Sequence, residues 1–283
     1  MLFLLCSVIW GVPYLFIKIA IDAGVAPAFI AWARISLGAL VLLPLALQRG
    51  VLRGLRTRTL AIVGYTATET AVPFVLTAAG ERYIASSLTA ILIAAMPLMV
   101  ALLSLRFIPG DRLTRTRILG LVLGFAGVIA LLGIDIGGRG SELLGSGLVL
   151  MATLCYALAT IIVSRWLSDL DPLGPVTASL LLGAVALLPA GLARFPAELP
   201  APGALWAIAI LGVVCTAIGL LAFFRLVAVA GASRAAVVTY VNPVVAVVAG
   251  VVALGEHIGI VSIVGLALIL VGSWISTGGS HST

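Results

Sequence analysis

Three charged side chains stand well inside long apolar stretches of the chain: Lys18, Arg34 and Glu69. A charge surrounded by hydrocarbon costs a few kcal/mol or more, so each must be paired, neutralised or hydrated. Glu69 is the one carboxylate near the middle of such a stretch. Two functional chemistries are open to it, exchange of a proton and capture of a substrate amine. A structural role is the alternative: an ion pair to Lys18 or Arg34 that holds neighbouring helices together. Polar and aromatic residues fall at helical spacing around these charges. Residues at i, i+4 and i+8 share a helix face, and Trp10, Tyr14 and Lys18 have that spacing. So do Tyr65, Glu69 and Pro73, with Thr77 next, and Tyr156, Thr160 and Ser164, with Thr153 before them. Ser86 and Thr89 precede Met96-Pro97, and Thr239, Tyr240 and Asn242 precede Pro243. The expected cavity residues are Trp10, Tyr14, Tyr65, Glu69, Ser86, Thr89, Tyr156, Thr160, Tyr240 and Asn242. They make an aromatic, hydroxyl-bearing pocket suited to an apolar or aromatic amino acid.

The elements that position these residues follow from composition. Of 283 residues, 63% are hydrophobic and 9% charged, against about 45–50% and about 25% in a soluble domain. So few charges cannot cover a soluble globule of this length. A soluble enzyme, a nucleic-acid binder and a disordered chain are excluded, and lipid is the solvent. Ten runs can each span a bilayer, roughly 2–21, 28–48, 59–79, 84–105, 118–134, 143–167, 172–193, 202–227, 235–254 and 258–277. They lack the alternation of a barrel, so an all-α membrane protein of ten transmembrane helices is expected. The first run has no positive n-region and no A-x-A cleavage site, so it reads as a span and not as a signal peptide. The chain begins almost inside that helix, from which a trimmed leader is expected. The fifth and tenth runs carry almost no polar side chains, which places them outside the cavity that runs 1, 3, 4, 6 and 9 surround. Trp166, Trp206 and Trp274 lie near span ends and read as interface-belt residues. Cys6, Cys155 and Cys215 fall within spans and read as small packing residues.

Charge location gives orientation. With the N-terminus in the cytoplasm, the inner loops hold Arg49, Arg53, Arg56, Arg58, Arg106, Arg112, Arg115, Arg117, Arg165, Arg225 and Arg234. The outer loops hold only Arg82, Arg139 and Arg194. That bias predicts both termini inside, and it accounts for the net charge of +6. The chain also repeats. Pro97 and Pro243 are 146 residues apart, and the glycine pairs Gly110/Gly255, Gly120/Gly265 and Gly127/Gly272 are each 145 apart. A unit of five helices is odd, so the second copy is expected to be inverted in the membrane. The predicted organisation is an N-terminal repeat over 1–138 and an inverted C-terminal repeat over 139–283. Inverted repeats place substrate near the midplane, between the halves. Pro97 and Pro243 remove helix hydrogen bonds at matched places, which makes them hinge candidates. The glycines of runs 5 and 10 permit close helix approach, either onto their own repeat or between two copies of the chain.

These landmarks resemble the drug/metabolite transporter superfamily, in its ten-helix EamA-type branch. The residues that carry the likeness run through the whole chain. They are Trp10-Gly11 with Lys18, Pro27 with Arg34, Ala85-Ser86-Ser87 through Pro97, Gly110-Asp111-Arg112, Gly231-Ala232-Ser233-Arg234 through Asn242-Pro243, and Leu254-Gly255-Glu256. The family usually has Gly-Glu-Arg where this chain has Gly110-Asp111-Arg112. The resemblance implies export of small metabolites or drugs, through a cavity lined mainly by helices 1, 3, 4, 6, 8 and 9. It further implies similarity to bacterial amino-acid exporters, the aromatic ones included, in the inner membrane.

Other chemistries find no residues to carry them. H-E-x-x-H, the P-loop, G-x-G-x-x-G and G-x-S-x-G do not occur. His257 and His281 lie in a turn and the tail, so no metal site or triad inside the membrane is expected. No cofactor and no nucleic acid are implied, only a small-molecule substrate and the bilayer, with the chain acting as a monomer. A multidrug or organic-cation exporter, using Glu69 and the aromatic rings by cation–π attraction, is the competing reading. An intramembrane enzyme and a passive channel are disfavoured, the first by the missing catalytic residues and the second by the paired prolines.

Overall fold

In hydrocarbon the backbone must satisfy its own hydrogen bonds, and a helix does so within one segment. The computed structural model of the chain describes residues 2–108, 113–133, 140–231, 235, 238 and 241–278. They form a bundle of ten apolar helices: α1 (Leu2–Asp22), α2 (Pro27–Arg49), α3 (Leu55–Gly80), α4 (Ser86–Phe107), α5 (Arg115–Gly133), α6 (Gly140–Leu167), α7 (Leu173–Ala193), α8 (Pro202–Ala230), α9 (Asn242–Leu254) and α10 (Ile260–Gly278). Eight are long and apolar enough to cross a membrane, and the described parts of the ninth and tenth spans are shorter. Gly110-Asp111-Arg112, Ser233-Arg234, Thr239 and Tyr240 lie outside the described residues.

The helix axes are interrupted where the sequence removes a donor. Proline lacks an N–H and leaves the carbonyl one turn back without its partner. α1 breaks at Val12 before Pro13, giving segments Leu2–Gly11 and Pro13–Asp22. α4 breaks before Pro97, where the backbone tightens: Ala95 donates to the Leu92 carbonyl at 3.2 Å and Leu98 to that of Ala95 at 3.0 Å. Pro243 stands in the first turn of α9, just after Val241 donates to Val238 at 3.2 Å. Three spans widen into π-helical turns, Thr66–Ala71 in α3, Val163–Leu167 at the end of α6 and Leu211–Ile218 in α8. The first directly precedes Val72-Pro73. Such bulges re-aim side chains and free carbonyls, and the turns of α3 and α8 bring Glu69 and Cys215 to the middle of the bundle.

α4 and α8 are the most enclosed helices. α1 packs on α8 and α6 on α3, α4 on α9, α2 on α7, and α5 on α10. The last contact departs from the expectation that α5 and α10 each pack within their own repeat: their glycines face each other. A Cβ on Gly120 would meet backbone atoms of Gly272 and Ser276, and one on Gly127 would meet the Gly265 carbonyl at 2.8 Å. Without a hydrophobic force between helices in lipid, such backbone approach supplies the packing that holds them. This face is filled within one chain, so it does not serve the alternative of contact between two copies.

Gly272→Leu is therefore expected to cost about 3 kcal/mol or more, because backbone cannot yield to an added side chain as another side chain can. Gly147→Ala, in a helix where a Cβ meets nothing within 4 Å, is expected to be neutral or slightly stabilising. Thermal unfolding in detergent compares the two.

Candidate functional site

A cavity of about 50 Å³ opens halfway along the bundle, between α1, α2, α3, α4, α6, α8 and α9. No side chain of α5, α7 or α10 reaches it. Its wall is aromatic: Trp10 and Tyr14 from α1, Phe74 from α3, Tyr156 from α6 and Phe223 from α8. The Trp10 and Phe223 rings pack with centroids 4.4 Å apart. Trp10 is fixed further by its indole N–H, which donates to the Cys215 carbonyl at 3.1 Å. That carbonyl belongs to the π-helical turn of α8, where the wider ladder exposes backbone oxygen.

Two ionisable side chains line the same cavity, Arg34 from α2 and Glu69 from the π-helical turn of α3. Both are buried, at 5% and 3% exposure. The Arg34 guanidinium lies 3.7 Å from the centroid of the Phe74 ring, and its Nε donates to Thr216 Oγ1 at 3.0 Å. The ring face attracts the cation and the hydroxyl fixes one edge, so its terminal nitrogens remain for another acceptor. Among the described residues Arg34 forms no ion pair, and Glu69 forms neither an ion pair nor a side-chain hydrogen bond. The structural alternative for Glu69 is thereby corrected. Lys18 is engaged elsewhere: its Nζ lies 3.3 Å from Asp22 and donates to the Glu81 backbone carbonyl at 3.2 Å. Lys18 is near the end of α1 and Asp22 is one turn on, so the local pair forms in place of a mid-span one.

Of the residues expected at the cavity, Trp10, Tyr14, Glu69, Tyr156, Thr160 and Asn242 line it. Asn242 also ties α9 to α1, its amide nitrogen donating to the Val238 and Ser7 carbonyls at 3.0 and 2.9 Å. Three residues lie off the cavity. Tyr65 is buried edge-on against Phe224, centroids 6.0 Å apart. Thr89 returns its hydroxyl to the Ala85 carbonyl at 3.2 Å. Ser86 opens α4, and there the chain makes a junction between its halves. Glu256, from the turn between α9 and α10, accepts hydrogen bonds from the Ser86 N–H at 2.8 Å, the Ser86 hydroxyl at 2.7 Å and the Ser87 N–H at 3.0 Å. A carboxylate on the free N–H groups of a helix start satisfies both the donors and the dipole. Partial burial favours a proton on Glu256, but the hydrogen bonds from Ser87 and Ser86 outweigh it and hold the carboxyl below its usual range. Gly250 makes the room, since a Cβ there would sit 2.5 Å from Glu256 Oε2.

Four features escaped the sequence reading: Arg34 as a cavity residue, Phe74 under it, Phe223 against Trp10, and Thr216. None belongs to a polar stripe. The one available signal was the lone arginine inside an otherwise apolar second run, which has to be stacked or paired.

A bundle of spanning helices around a small buried polar cavity is the architecture of a membrane carrier. The chain belongs to the EamA-like transporter family, whose model matches residues 1–133 and again 143–278. It is a multi-pass membrane transporter and not an enzyme. It is 29% identical over 266 residues to the uncharacterized transporter YvbV of Bacillus subtilis, covering 93% of this chain and 86% of that one. An uncharacterized transporter of Archaeoglobus fulgidus is 28% identical over 199 residues, 69% of each chain. A crystal structure with 20% identity superposes with a TM-score of 0.72 over 99% of this chain and 96% of its own, and shows the same fold.

Glu256→Ala is expected to destabilise the protein by about 1–3 kcal/mol, the range for removing a charged hydrogen-bond acceptor. The sign with pH follows from the lowered carboxyl: the contribution is full at neutral pH and is lost as pH falls through and below the ordinary carboxylate value of about 4.3. Thermal melts of wild type and variant should therefore converge in acid.

Proposed function

We propose that the protein exports neutral, above all aromatic, amino acids from the cytoplasm across a bacterial inner membrane. The observation that carries this reading is a guanidinium and a carboxyl lining one aromatic cavity without pairing to each other. An amino acid is a zwitterion with an apolar side chain and complements all three. The guanidinium of Arg34 takes the α-carboxylate in a fork of two hydrogen bonds, the carboxylate of Glu69 takes the α-ammonium, and the rings of Trp10, Tyr14, Tyr156 and Phe223 take the side chain. An organic cation would use Glu69 and the rings alone and leave Arg34 buried without a counter-charge, which is costly. The cavity volume is that of several waters at roughly 10–15 Å³ each, so the cleft widens to admit such a substrate.

Transport proceeds by alternating access between two inverted repeats, 1–138 and 139–283. Matched contacts support the repeat, α1 on α8 as α6 on α3, together with the family match to each half. Pro97 and Pro243 act as the hinges, both termini are cytoplasmic as the arginine bias requires, and the working unit is the monomer.

The test is saturable uptake of labelled phenylalanine into proteoliposomes, competed by phenethylamine and 3-phenylpropionate. Arg34→Gln should weaken phenylalanine about 10- to 100-fold, the worth of a charged hydrogen bond, while phenethylamine binding holds. Glu69→Gln should weaken phenylalanine and phenethylamine alike and spare 3-phenylpropionate. Competition by cationic drugs and by no amino acid would replace this reading with the organic-cation one.

A further inference from the structure

The cavity does not use the buried carboxyl at the end of α3. Glu81 follows Gly80, where the third span ends, and it is 0% exposed, with both carboxyl oxygens lacking a hydrogen-bond partner among the described residues. The nearest cation, Lys18, does not pair with it: Lys18 Nζ is held by Asp22 at 3.3 Å and by the Glu81 backbone carbonyl at 3.2 Å. The charged groups around Glu81 come from every element packed there. Lys18 and Asp22 come from α1, Arg34 from α2 and Glu256 from the α9–α10 turn. α6, which meets the end of α3 through Gly145 and Gly80, carries Glu142 in its first turn.

An ionised carboxylate enclosed without a donor is strongly disfavoured, and a carboxylate neighbour disfavours it further. Glu256 keeps its charge because the α4 helix start donates to it. Burial outweighs the attraction of Lys18 and holds the Glu81 carboxyl well above the usual carboxylate range. Two carboxyls whose surroundings push them apart in this way divide the work, one holding a proton and one holding charge.

We propose that Glu81 is a proton-binding site that couples transport to the proton gradient, with Lys18 as its exchangeable counter-ion. In the arrangement seen here the proton is on Glu81 and Lys18 pairs with Asp22. Loss of that proton to water leaves a carboxylate beside an ammonium already in contact with the same residue's backbone. Lys18 then leaves Asp22 for the Glu81 carboxylate, a local move that draws α1 against α3. α1 carries Trp10 and Tyr14 into the cavity, and the Glu256 junction lies beside it, so the swap acts on the substrate site and on a contact between the halves. In each cycle one proton is taken from the outer face, where Glu81 sits at the end of α3, against one substrate moved out. It is released to the cytoplasm through the central cavity, whose Tyr14 and Arg34 lie within electrostatic reach of Glu81. The direction and the substrate rest on the export reading above, but proton binding at Glu81 does not.

Two measurements on the reconstituted full chain test this separately. In infrared difference spectra of Glu69→Gln, which removes the other buried partnerless carboxyl, a protonated-carboxyl band at neutral pH should be present and should vanish when Glu81→Gln is added. Its persistence in the double variant, or its absence from Glu69→Gln, would overturn the proposal whatever the substrate. In proteoliposomes with an acidic lumen and the membrane potential clamped, one exchanged proton gives about tenfold phenylalanine accumulation per pH unit. Glu81→Gln should bring accumulation to about onefold while phenylalanine equilibration remains measurable, which shows the variant is folded. Wild-type phenylalanine transport indifferent to the gradient, or undiminished accumulation by Glu81→Gln, would refute the coupling. If wild type moves no phenylalanine, the amino-acid reading fails, and the infrared band still decides the proton site.

Discussion

Hydrocarbon offers no partner to a charge or a backbone dipole, and the structure is organised by that constraint. The helices close their ladders within each segment, and one carbonyl freed by a π-helical turn and the open donors of one helix start are used. The Cys215 carbonyl accepts from Trp10, and the free N–H groups that open α4 are met by Glu256. The same constraint gives the remaining ionisable groups their meaning. Arg34 is stacked on Phe74 and bonded to Thr216, yet neither it nor Glu69 has an ion-pair partner among the described residues. In lipid such groups are costly, and the hydration open to them is limited to a small cavity.

Packing is divided accordingly. The outer pair α5 and α10 is held by glycine backbones in contact, which needs no polar group and leaves none to satisfy. The central helices carry the polar side chains and the interrupted ladders. The junction at Glu256 belongs to neither kind. It ties the second half of the chain to the start of α4 with a charge-assisted contact, which one change of conformation can break as a unit.

Much of the site was legible in the chain because helical periodicity is local. Trp10 and Tyr14, like Tyr156 and Thr160, share a face by spacing alone, and both pairs reach the cavity. Tyr65 has the same spacing from Glu69, but the π-helical turn between them shifts the register, and Tyr65 packs on Phe224 instead. Ser86 is polar for a helix start, not for a substrate. Glu81 was not singled out, because Glu81-Arg82-Tyr83 after an apolar run reads as an ordinary polar turn. Only neighbouring helices make it a buried one.

The order of apolar runs, the donors removed by proline and the charges stranded inside spans were determined by the sequence alone, since each depends on residues within a few positions of one another. The tertiary structure alone decided which charges meet. Lys18 went to Asp22 and Arg34 to Phe74 and Thr216, while Glu69 was left facing the cavity and Glu81 was sealed without a partner. The physical reason is that ion pairing depends on distances of a few ångströms between helices far apart in the chain, and side-chain spacing along one helix carries no information about the rotation of its neighbour.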